Sequence, residues 1–294
     1  LGRLWVGSLL LAGATSLPEL ATAISAVLTG SANLAAGNMF GANMLNMSNL
    51  AILLALFGGH QVFQRVAPQQ VLVASSAIAI TGLAVLLSAI DANFSIFSLS
   101  IPGVTIIMTY VIFSGILRKY SSGVADEPTD DGPKGHSLTW AWTVFLLCTI
   151  SIFIAGPILA ISADGIAELT GIGTSFMGVL ALALVTTLPE LTTTFTALRM
   201  GAHDMAIANM FGTNSFNIAA LGIADLFNPG GSLFPSVNSS SMCAGIFAIT
   251  LMALGTLQLI RRRPIRIFSL RDISQTTYVI IYGLGLFMVF SLAS

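Results

Sequence analysis

Nine apolar stretches, separated by short polar breaks, make up most of this sequence. A helix needs about 20 predominantly apolar residues to cross the hydrocarbon core of a bilayer, and each stretch is roughly that long. The breaks carry the charged, Gly, Pro and Asn residues that favour turns. The stretches lie at residues 4–28, 33–57, 70–90, 99–117, 139–163, 173–199, 204–226, 240–260 and 273–293. The pattern therefore predicts an all-α, polytopic membrane protein with nine spans.

The composition excludes an ordinary soluble domain. Hydrophobic residues make up 55% of the chain and charged residues only 8%, whereas soluble domains carry about 25% charged residues. Because charges are so few, the chain has no basic patch for nucleic acid, and the bilayer is its predicted partner. Cys148 and Cys243 lie in separate apolar stretches, where free cysteine behaves as a small hydrophobe. We predict neither a disulfide nor a metal site at them.

The basic residues predict the orientation in the membrane. Lys and Arg concentrate in the cytoplasmic segments of membrane proteins. If the first stretch begins on the cytoplasmic side, nine crossings place all 11 Lys and Arg residues on that side and none on the other. This sorting supports the count of nine, and it predicts a cytoplasmic linker at residues 118–138.

The chain contains an internal repeat. A shift of 171 positions gives 17 identities over the 37 residues from 11 to 47. Thr-Ser-Leu-Pro-Glu at 15–19 matches Thr-Thr-Leu-Pro-Glu at 186–190, and Asn-Met-Phe-Gly-Ala-Asn at 38–43 matches Asn-Met-Phe-Gly-Thr-Asn at 209–214. An odd number of crossings separates the two copies, so we predict that they run in opposite directions. Inverted repeats whose interrupted helices meet near the midplane are typical of alternating-access transporters.

The repeat divides the chain into a first unit at 1–117, the linker at 118–138 and a second unit at 139–294. The second unit has a span at 139–163 before its Pro-Glu helix, and the first unit has no counterpart. We therefore expect one further helix before the first stretch, which would give two units of five helices. The linker is rich in Ser, Gly, Asp and Pro, as flexible linkers are.

Of the 12 acidic residues, Glu19 and Glu190 are the two that lie deep inside predicted spans. A carboxylate near the middle of a bilayer is costly, and such residues normally face a cavity, a partner charge or a cation. A protonated acid that is hydrogen-bonded between helices is the alternative. Because the repeat duplicates the glutamate, we predict a cation site built around the two carboxylates.

Hydroxyl groups accompany both glutamates. Pro18 and Pro189 interrupt helical hydrogen bonding and are expected to free carbonyl oxygens of the preceding turn, those of Ala14 and Val185 first. Side chains three or four residues apart share a helix face. The hydroxyl residues that this spacing groups with the glutamates are Thr15, Ser16, Thr186 and Thr187. The alternative is that these hydroxyls only bond back to their own helix.

Amides line the helix that follows each glutamate. The stripes with a spacing of four are Asn38, Ala42, Asn46 in the first unit and Asn209, Thr213, Asn217 in the second. Their oxygens could add neutral ligands to the site. They could instead join the helices, since the small residues Gly37, Gly41, Ala208 and Gly212 permit close helix approach.

The candidate ligands are all oxygens, without sulfur or imidazole at the depth of the glutamates. Such a site suits Ca²⁺ or Na⁺ rather than zinc or copper. Ca²⁺ would be neutralised by the two carboxylates, whereas an empty site would hold two uncompensated like charges in a low dielectric. The site should therefore cross the membrane loaded, which favours an exchanger over a uniporter.

The motifs resemble the α-repeats of the sodium/calcium exchanger branch of the calcium/cation antiporter superfamily. Both copies have Thr-Ser/Thr-Leu-Pro-Glu followed by Asn-Met-Phe-Gly-x-Asn-x-x-Asn, whereas the calcium/proton branch typically has Gly-Asn before the acid. The resemblance implies an antiporter of Ca²⁺ and Na⁺ with no cofactor and no enzymatic role. We expect a multi-pass protein of a prokaryotic cell membrane that has no nucleic-acid partner and works as a monomer.

The resemblance also implies a diamond of ion sites. Glu19 and Glu190 would bind Ca²⁺ and Na⁺, with oxygens from Thr15, Ser16, Thr186 and Thr187 and from the backbone of Ala12 and Ala183. Asn46, Thr213 and Asn217 would complete the set. The first and sixth helices of similar proteins slide across the core, and the sixth corresponds here to 139–163.

Two positions depart from the family pattern. Asn217 stands where many relatives have Asp, and Ala42 stands where many have Ser. The site is therefore poorer in charge and hydroxyls, which leaves the number of Na⁺ ions and the preference for Ca²⁺ open. The alternatives to Na⁺/Ca²⁺ exchange are coupling of Ca²⁺ to protons, exchange of another cation, a passive channel, and an intramembrane enzyme with a buried carboxylate.

Overall fold

The computed structural model describes residues 13–96, 99–121, 138–261 and 273–293. Its helices are α1 Leu17–Leu28, α2 Ala32–Leu56, α3 Gly59–Arg65, α4 Gln70–Ala89, α5 Ile101–Ser121, α6 Leu138–Thr170, α7 Thr174–Met177, α8 Ala183–Thr186, α9 Leu188–Arg199, α10 His203–Asp225, α11 Ser239–Arg261 and α12 Ile273–Ala293. A π-helical turn, Gly178–Leu182, joins α7 to α8, and a 3₁₀ turn, Phe234–Ser236, precedes α11.

Six helices among the described residues are long and apolar enough to cross a membrane, namely α2, α4, α5, α6, α11 and α12. A seventh crossing results if Thr174–Thr186 and Leu188–Arg199, which meet at a bend of 45°, form one broken span. The helical, polytopic membrane architecture is therefore confirmed. The count of nine spans and the inversion of the repeats stay predictions.

Some element bounds differ from the predicted ones. The stretch predicted to end at 163 continues as α6 to Thr170 and ends before Gly171, whose φ of 72° only glycine adopts easily. A single Asp or Gly lowers helix propensity by at most about 1 kcal/mol, so Asp164 and Gly165 do not end the helix. α5 continues to Ser121, into the predicted linker, and residues 122–137 lie outside the described part.

Among the described residues, one short antiparallel pair of strands interrupts the series of helices. Its strands are β1 Ser95–Ile96 and β2 Leu99–Ser100, with Ser95 opposite Ser100. The prediction of an all-helical chain missed this hairpin, because two-residue strands leave no periodic pattern in the sequence.

The two helices that carry the Asn-rich motifs lie at the centre. In α2, 78% of the most apolar stretch is buried, compared with 11–17% in α5, α6 and α12. α2 packs against α10, α11 and α12, and α10 also packs against α1, α4 and α5. The outer helices therefore present their apolar side chains to the lipid, while the polar motifs lie inside the bundle.

Both Pro-Glu motifs lie where a helix begins. α8 ends at Thr186 and α9 begins at Leu188, so Pro189 occupies the first turn of α9, and Pro18 occupies the first turn of α1 in the same way. Proline fits this position because the first amides of a helix have no partner within it. The predicted interruption of helical hydrogen bonding at the two prolines takes the form of a break two residues before each of them, at Ser16 and Thr187. The breaks place Glu19 and Glu190 in first turns, where the partial positive charge of the helix dipole stabilises a carboxylate.

Close packing holds the π-helical turn, Gly178–Leu182, against α2. A Cβ atom added at Gly41 would lie 2.5 Å from the Cα of Val179, and one added at Gly178 would lie 2.6 Å from the carbonyl oxygen of Leu34. Real Cβ atoms do not approach backbone so closely. Glycine at these positions therefore lets the π-helical turn lie directly on α2.

Asp225 ties three segments together at the end of α10. Its side chain is 1% exposed. The carboxylate accepts hydrogen bonds from the hydroxyl of Ser100 in β2 and from the backbone amide of Leu233, the latter at 2.5 Å. This residue therefore anchors both the hairpin and the loop before α11.

We expect Asp225→Ala to destabilise the protein by about 1–3 kcal/mol, because it leaves the buried amide of Leu233 without an acceptor. Thermal unfolding of the purified protein in detergent, followed by tryptophan fluorescence, measures the effect. Asp164→Ala on α6 is the matched control and should change stability by less than about 0.5 kcal/mol. Equal unfolding temperatures for the two variants would contradict the anchoring role of Asp225.

Candidate functional site

Glu19 and Glu190 lie together in the interior of the bundle. Both side chains are fully buried, and their carboxylates are close enough to repel each other. Two like charges in a low-dielectric interior are costly unless a counter-charge neutralises them. The structure thus brings together the two acids that the repeat predicted, although they are 171 positions apart.

The hydroxyl groups beside the glutamates bond across the repeats. The Ser16 hydroxyl donates to Oε1 of Glu190 at 3.2 Å, and the Thr186 hydroxyl donates to Oδ1 of Asn38 at 3.2 Å. Helical spacing groups each hydroxyl with the glutamate of its own helix, whereas the Ser16 hydroxyl bonds to Glu190, because the helix is broken at Ser16 and α1 begins only at Leu17. Thr15 and Thr187 are also buried.

Thr22 and Thr193 are site residues that were missed at the level of sequence. The Thr22 hydroxyl lies 2.8 Å from the carbonyl oxygen of Pro18 and 2.9 Å from that of Glu19, and Thr193 bonds to Pro189 and Glu190 in the same way at 2.9 and 3.1 Å. These hydroxyls occupy backbone acceptors in the glutamate turns. The repeat contained the signal, since residues 22 and 193 are identical under the shift of 171.

Asn38 and Asn209 join the helices of each unit. The Asn38 amide donates to the Thr22 hydroxyl at 3.1 Å, and the Asn209 amide donates to the Thr193 hydroxyl at 3.0 Å. The Nδ2 atoms of Asn38 and Asn209 thus form interhelical hydrogen bonds, which is the alternative predicted from the sequence for these residues. The two units differ at the oxygens, because Oδ1 of Asn38 accepts from Thr186 whereas Oδ1 of Asn209 has no partner among the described residues.

The interior of the described residues contains several buried oxygens without a hydrogen-bond donor. Those of α1, α2, α9 and α10 are both carboxylate oxygens of Glu19, Oε2 of Glu190, Oδ1 of Asn46, Asn209 and Asn217, and the hydroxyls of Ser48 and Thr213. Two others, Oε1 of Gln69 and of Gln70, lie at the start of α4. A buried acceptor without a partner normally costs about 1–3 kcal/mol. Such atoms are rare in folded proteins, and eight of them lie in α1, α2, α9 and α10.

The remaining predicted ligands are placed as follows. Ala12 lies outside the described residues. The carbonyl oxygen of Ala183 accepts from the Thr187 amide at 3.0 Å and from the Thr186 hydroxyl at 3.5 Å. Ala42 is fully buried and has no polar side chain, whereas its counterpart Thr213 has a buried hydroxyl. At this position α10 therefore offers a side-chain oxygen that could bind a cation, and α2 does not.

The side chains around the two glutamates offer only oxygen atoms as candidate ligands. The candidate ligands are carboxylate, amide, hydroxyl and carbonyl oxygens, which Ca²⁺ and Na⁺ prefer. Within the described ranges, no three His, Cys, Asp or Glu side chains cluster in a way that could hold a metal ion. A cation at this place would therefore have to be held by two carboxylates and neutral oxygens.

Comparisons with known proteins give a consistent family and fold. The family model described as "Sodium/calcium exchanger protein" matches residues 1–119 and 140–294. The chain is 28% identical over 230 residues to the inner membrane protein YrbG of Escherichia coli (strain K12), an alignment that covers 76% of this chain and 70% of YrbG.

Two solved structures show the likeness of fold. The sodium-calcium exchanger NCX_Mj, soaked with Na⁺ and Sr²⁺, matches with a TM-score of 0.59 and 19% identity over 99% of this chain and 88% of its own. The H⁺/Ca²⁺ exchanger CAX matches with a TM-score of 0.54 and 14% identity over 99% of this chain and 80% of its own.

Proposed function

The chain belongs to the sodium/calcium exchanger protein family, and from this premise we propose that it is a secondary antiporter that exchanges Ca²⁺ for Na⁺ across a membrane. The cations would bind between Glu19 and Glu190 and would reach the two sides alternately. Ca²⁺ and Na⁺ are then its substrates, and no cofactor takes part.

One observation carries this proposal: two adjacent, fully buried carboxylates have three oxygens without a donor among the described residues. Moving a carboxylate from water into a protein interior costs several kcal/mol even after relaxation. A divalent cation would neutralise both carboxylates at once, and two monovalent cations would do the same. Because the empty site is the costly state, it disfavours an unloaded crossing and favours obligatory exchange.

The proposed ligands follow from burial and free acceptors. Glu19 and Glu190 supply the charge, and the oxygens of Asn46, Asn217 and Thr213, which have no donor among the described residues, supply neutral ligands. The remaining proposed ligands are the hydroxyl or carbonyl oxygens of Thr15, Ser16, Thr186 and Thr187 and the backbone of Ala12 and Ala183.

The reciprocal contacts support the proposed inverted repeat. The side-chain amide of Asn43 bonds to the backbone of Asn214, and that of Asn214 bonds to the backbone of Asn43. These residues correspond under the shift of 171, so the two repeat units meet through equivalent positions. We propose nine spans in this chain with the linker 118–138 in the cytoplasm, as the basic residues predict.

Coupling of Ca²⁺ to protons is the second candidate. The fold likeness to the H⁺/Ca²⁺ exchanger CAX and the pair of mutually repelling buried acids support it, because either glutamate could carry a proton in place of Na⁺. The Leu-Pro that precedes both glutamates favours Na⁺ as the coupling ion, since this dipeptide is where the motif resembles the sodium/calcium branch.

Radioactive Ca²⁺ uptake by proteoliposomes distinguishes these candidates. We expect uptake when the vesicles contain Na⁺ and the bath does not, because the outward Na⁺ gradient drives Ca²⁺ inward. Vesicles loaded with K⁺ at equal pH should show only background. Uptake driven by a proton gradient alone would identify the proton-coupled antiporter instead, and the absence of Ca²⁺ flux under every gradient would indicate another cation.

A further inference from the structure

Four asparagines form a closed hydrogen-bond network between α2 and α10. Asn43 and Asn46 lie on α2, Asn214 and Asn217 lie on α10, and all four side chains are fully buried. Asn43 and Asn214 each face the backbone of the other helix. Asn46 and Asn217 follow them by three residues on their own helices. Asn46 and Asn217 are proposed ligands, whereas Asn43 and Asn214 are not.

Backbone carbonyl groups fix the orientation of the side-chain amides of Asn43 and Asn214. The Nδ2 of Asn43 donates to the carbonyl oxygen of Asn214 at 3.0 Å, and the Nδ2 of Asn214 donates to the carbonyl oxygen of Asn43 at 3.5 Å. A backbone carbonyl can only accept, so the NH₂ side of each amide must face it. The Oδ1 atoms of Asn43 and Asn214 must consequently face the other way.

These oxygens in turn orient the proposed ligands. Oδ1 of Asn214 accepts from the Nδ2 of Asn46 at 3.0 Å, and Oδ1 of Asn43 accepts from the Nδ2 of Asn217 at 3.0 Å. The nitrogens of Asn46 and Asn217 are therefore held in the network. Their Oδ1 atoms remain buried and have no donor in the described part of the chain.

We propose that Asn43 and Asn214 are positioning residues that make Asn217 and Asn46 present a carbonyl oxygen, rather than an NH₂ group, to the transported cation. An asparagine amide that is free to rotate offers a cation either an attractive oxygen or a repulsive NH₂ group. A carboxylate at the same position needs no such control, because its two oxygens are equivalent. The control is therefore specific to a site that has amides at both Asn46 and Asn217.

This inference rests on the proposed cation site, and a double-mutant design tests it separately from the coupling ion. Asn43→Ala removes the acceptor that holds the nitrogen of Asn217. We expect Ca²⁺ affinity to fall by about tenfold or more, as is typical when a group that orients a metal ligand is removed. The measurement is the Ca²⁺ dependence of the unfolding temperature of the full protein in detergent, which reports binding whatever ion drives transport.

The deciding comparison repeats Asn43→Ala in an Asn217→Asp background. An aspartate side chain presents an oxygen in either rotamer, so the further loss of affinity on removing Asn43 should be less than about twofold, within the normal error of additivity. If Asn43 acted only through packing, the loss would be the same in both backgrounds. Equal losses would therefore overturn the positioning role while leaving Ca²⁺ binding by the parent protein intact.

The reciprocal pair keeps the test decisive if Asn43→Ala does not fold. Asn214→Ala releases the nitrogen of Asn46, and Asn46→Asp is the matching background. The same pattern of loss and rescue is expected. A parent protein whose unfolding temperature does not respond to Ca²⁺ would instead overturn the proposed function, and this inference with it.

Discussion

Glu19→Gln is expected to abolish Ca²⁺ uptake while leaving the ion-free protein at least as stable as the wild type. Glutamine keeps the shape of the side chain but removes one of the two charges that would neutralise Ca²⁺. Removing one partner of a buried ion pair costs about 3–5 kcal/mol, which corresponds to on the order of 100-fold or more in affinity. Without the cation, the same change removes the repulsion between the two buried carboxylates.

The two halves of this prediction need two measurements. Ca²⁺ uptake by proteoliposomes should fall to background, and the unfolding temperature in EGTA with choline as the only monovalent cation should be equal to or above that of the wild type. Added Ca²⁺ should stabilise the wild type, by about 2.7 kcal/mol at roughly 100 times the dissociation constant, but not the variant. The opposite signs separate a loss of binding from a loss of folding.

Glu168→Gln is the matched control, because Glu168 is an exposed carboxylate near the end of α6. It should change neither uptake nor Ca²⁺ stabilisation. Normal Ca²⁺ uptake by Glu19→Gln would show that the buried pair does not bind the transported ion.

Gly41→Ala is expected to destabilise the protein and to impair transport, although it adds only one methyl group. That methyl would lie 2.5 Å from the Cα and 2.6 Å from the carbonyl oxygen of Val179, and backbone cannot move aside as a flexible side chain can. Overpacking of this kind costs about 1–3 kcal/mol. Because α2 carries Asn38 and Asn46, its displacement from the π-helical turn would also weaken their hydrogen bonds to Thr186 and Asn214 in the second unit.

Gly82→Ala provides the control for helix propensity. Gly82 lies in α4, and a Cβ atom there would meet no other atom within 4 Å. Alanine should therefore be neutral or stabilising by up to about 1 kcal/mol. The unfolding temperature in detergent and the initial rate of Ca²⁺ uptake should fall for Gly41→Ala but not for Gly82→Ala. If both variants behave alike, the close approach of α2 and the π-helical turn does not limit stability.

Much of the fold could be predicted from the sequence because the bilayer imposes a one-dimensional rule. Every span must be apolar over about 20 residues, so the stretches that became α2, α4, α5, α11 and α12 were visible without any knowledge of their neighbours. The ends of the helices follow from weaker effects. The continuation of α6 through Asp164 and Gly165 depends on small differences in helix propensity, which the composition of a break does not reveal.

The sequence also identified the two glutamates, since a repeated acid inside an apolar stretch has few explanations other than function. The roles of the surrounding groups were harder to assign. Helical spacing groups Ser16 with Glu19, but its hydroxyl bonds to Glu190, because the helix is broken at Ser16. Asn43 belonged to a recognised motif, yet nothing local indicated that its amide faces the backbone of Asn214.

The sequence by itself thus determined which segments are apolar enough to cross a membrane, that the chain contains a repeat and where its two buried glutamates lie. These are properties of single segments, because solvation by lipid acts on each stretch independently. Only the tertiary structure decided which hydroxyl bonds to which carboxylate, which side of each amide remains free and how closely α2 approaches Val179. Those properties depend on the relative position of helices that lie about 140–175 residues apart in the chain, and directional hydrogen bonds and steric contact act only once the helices are packed.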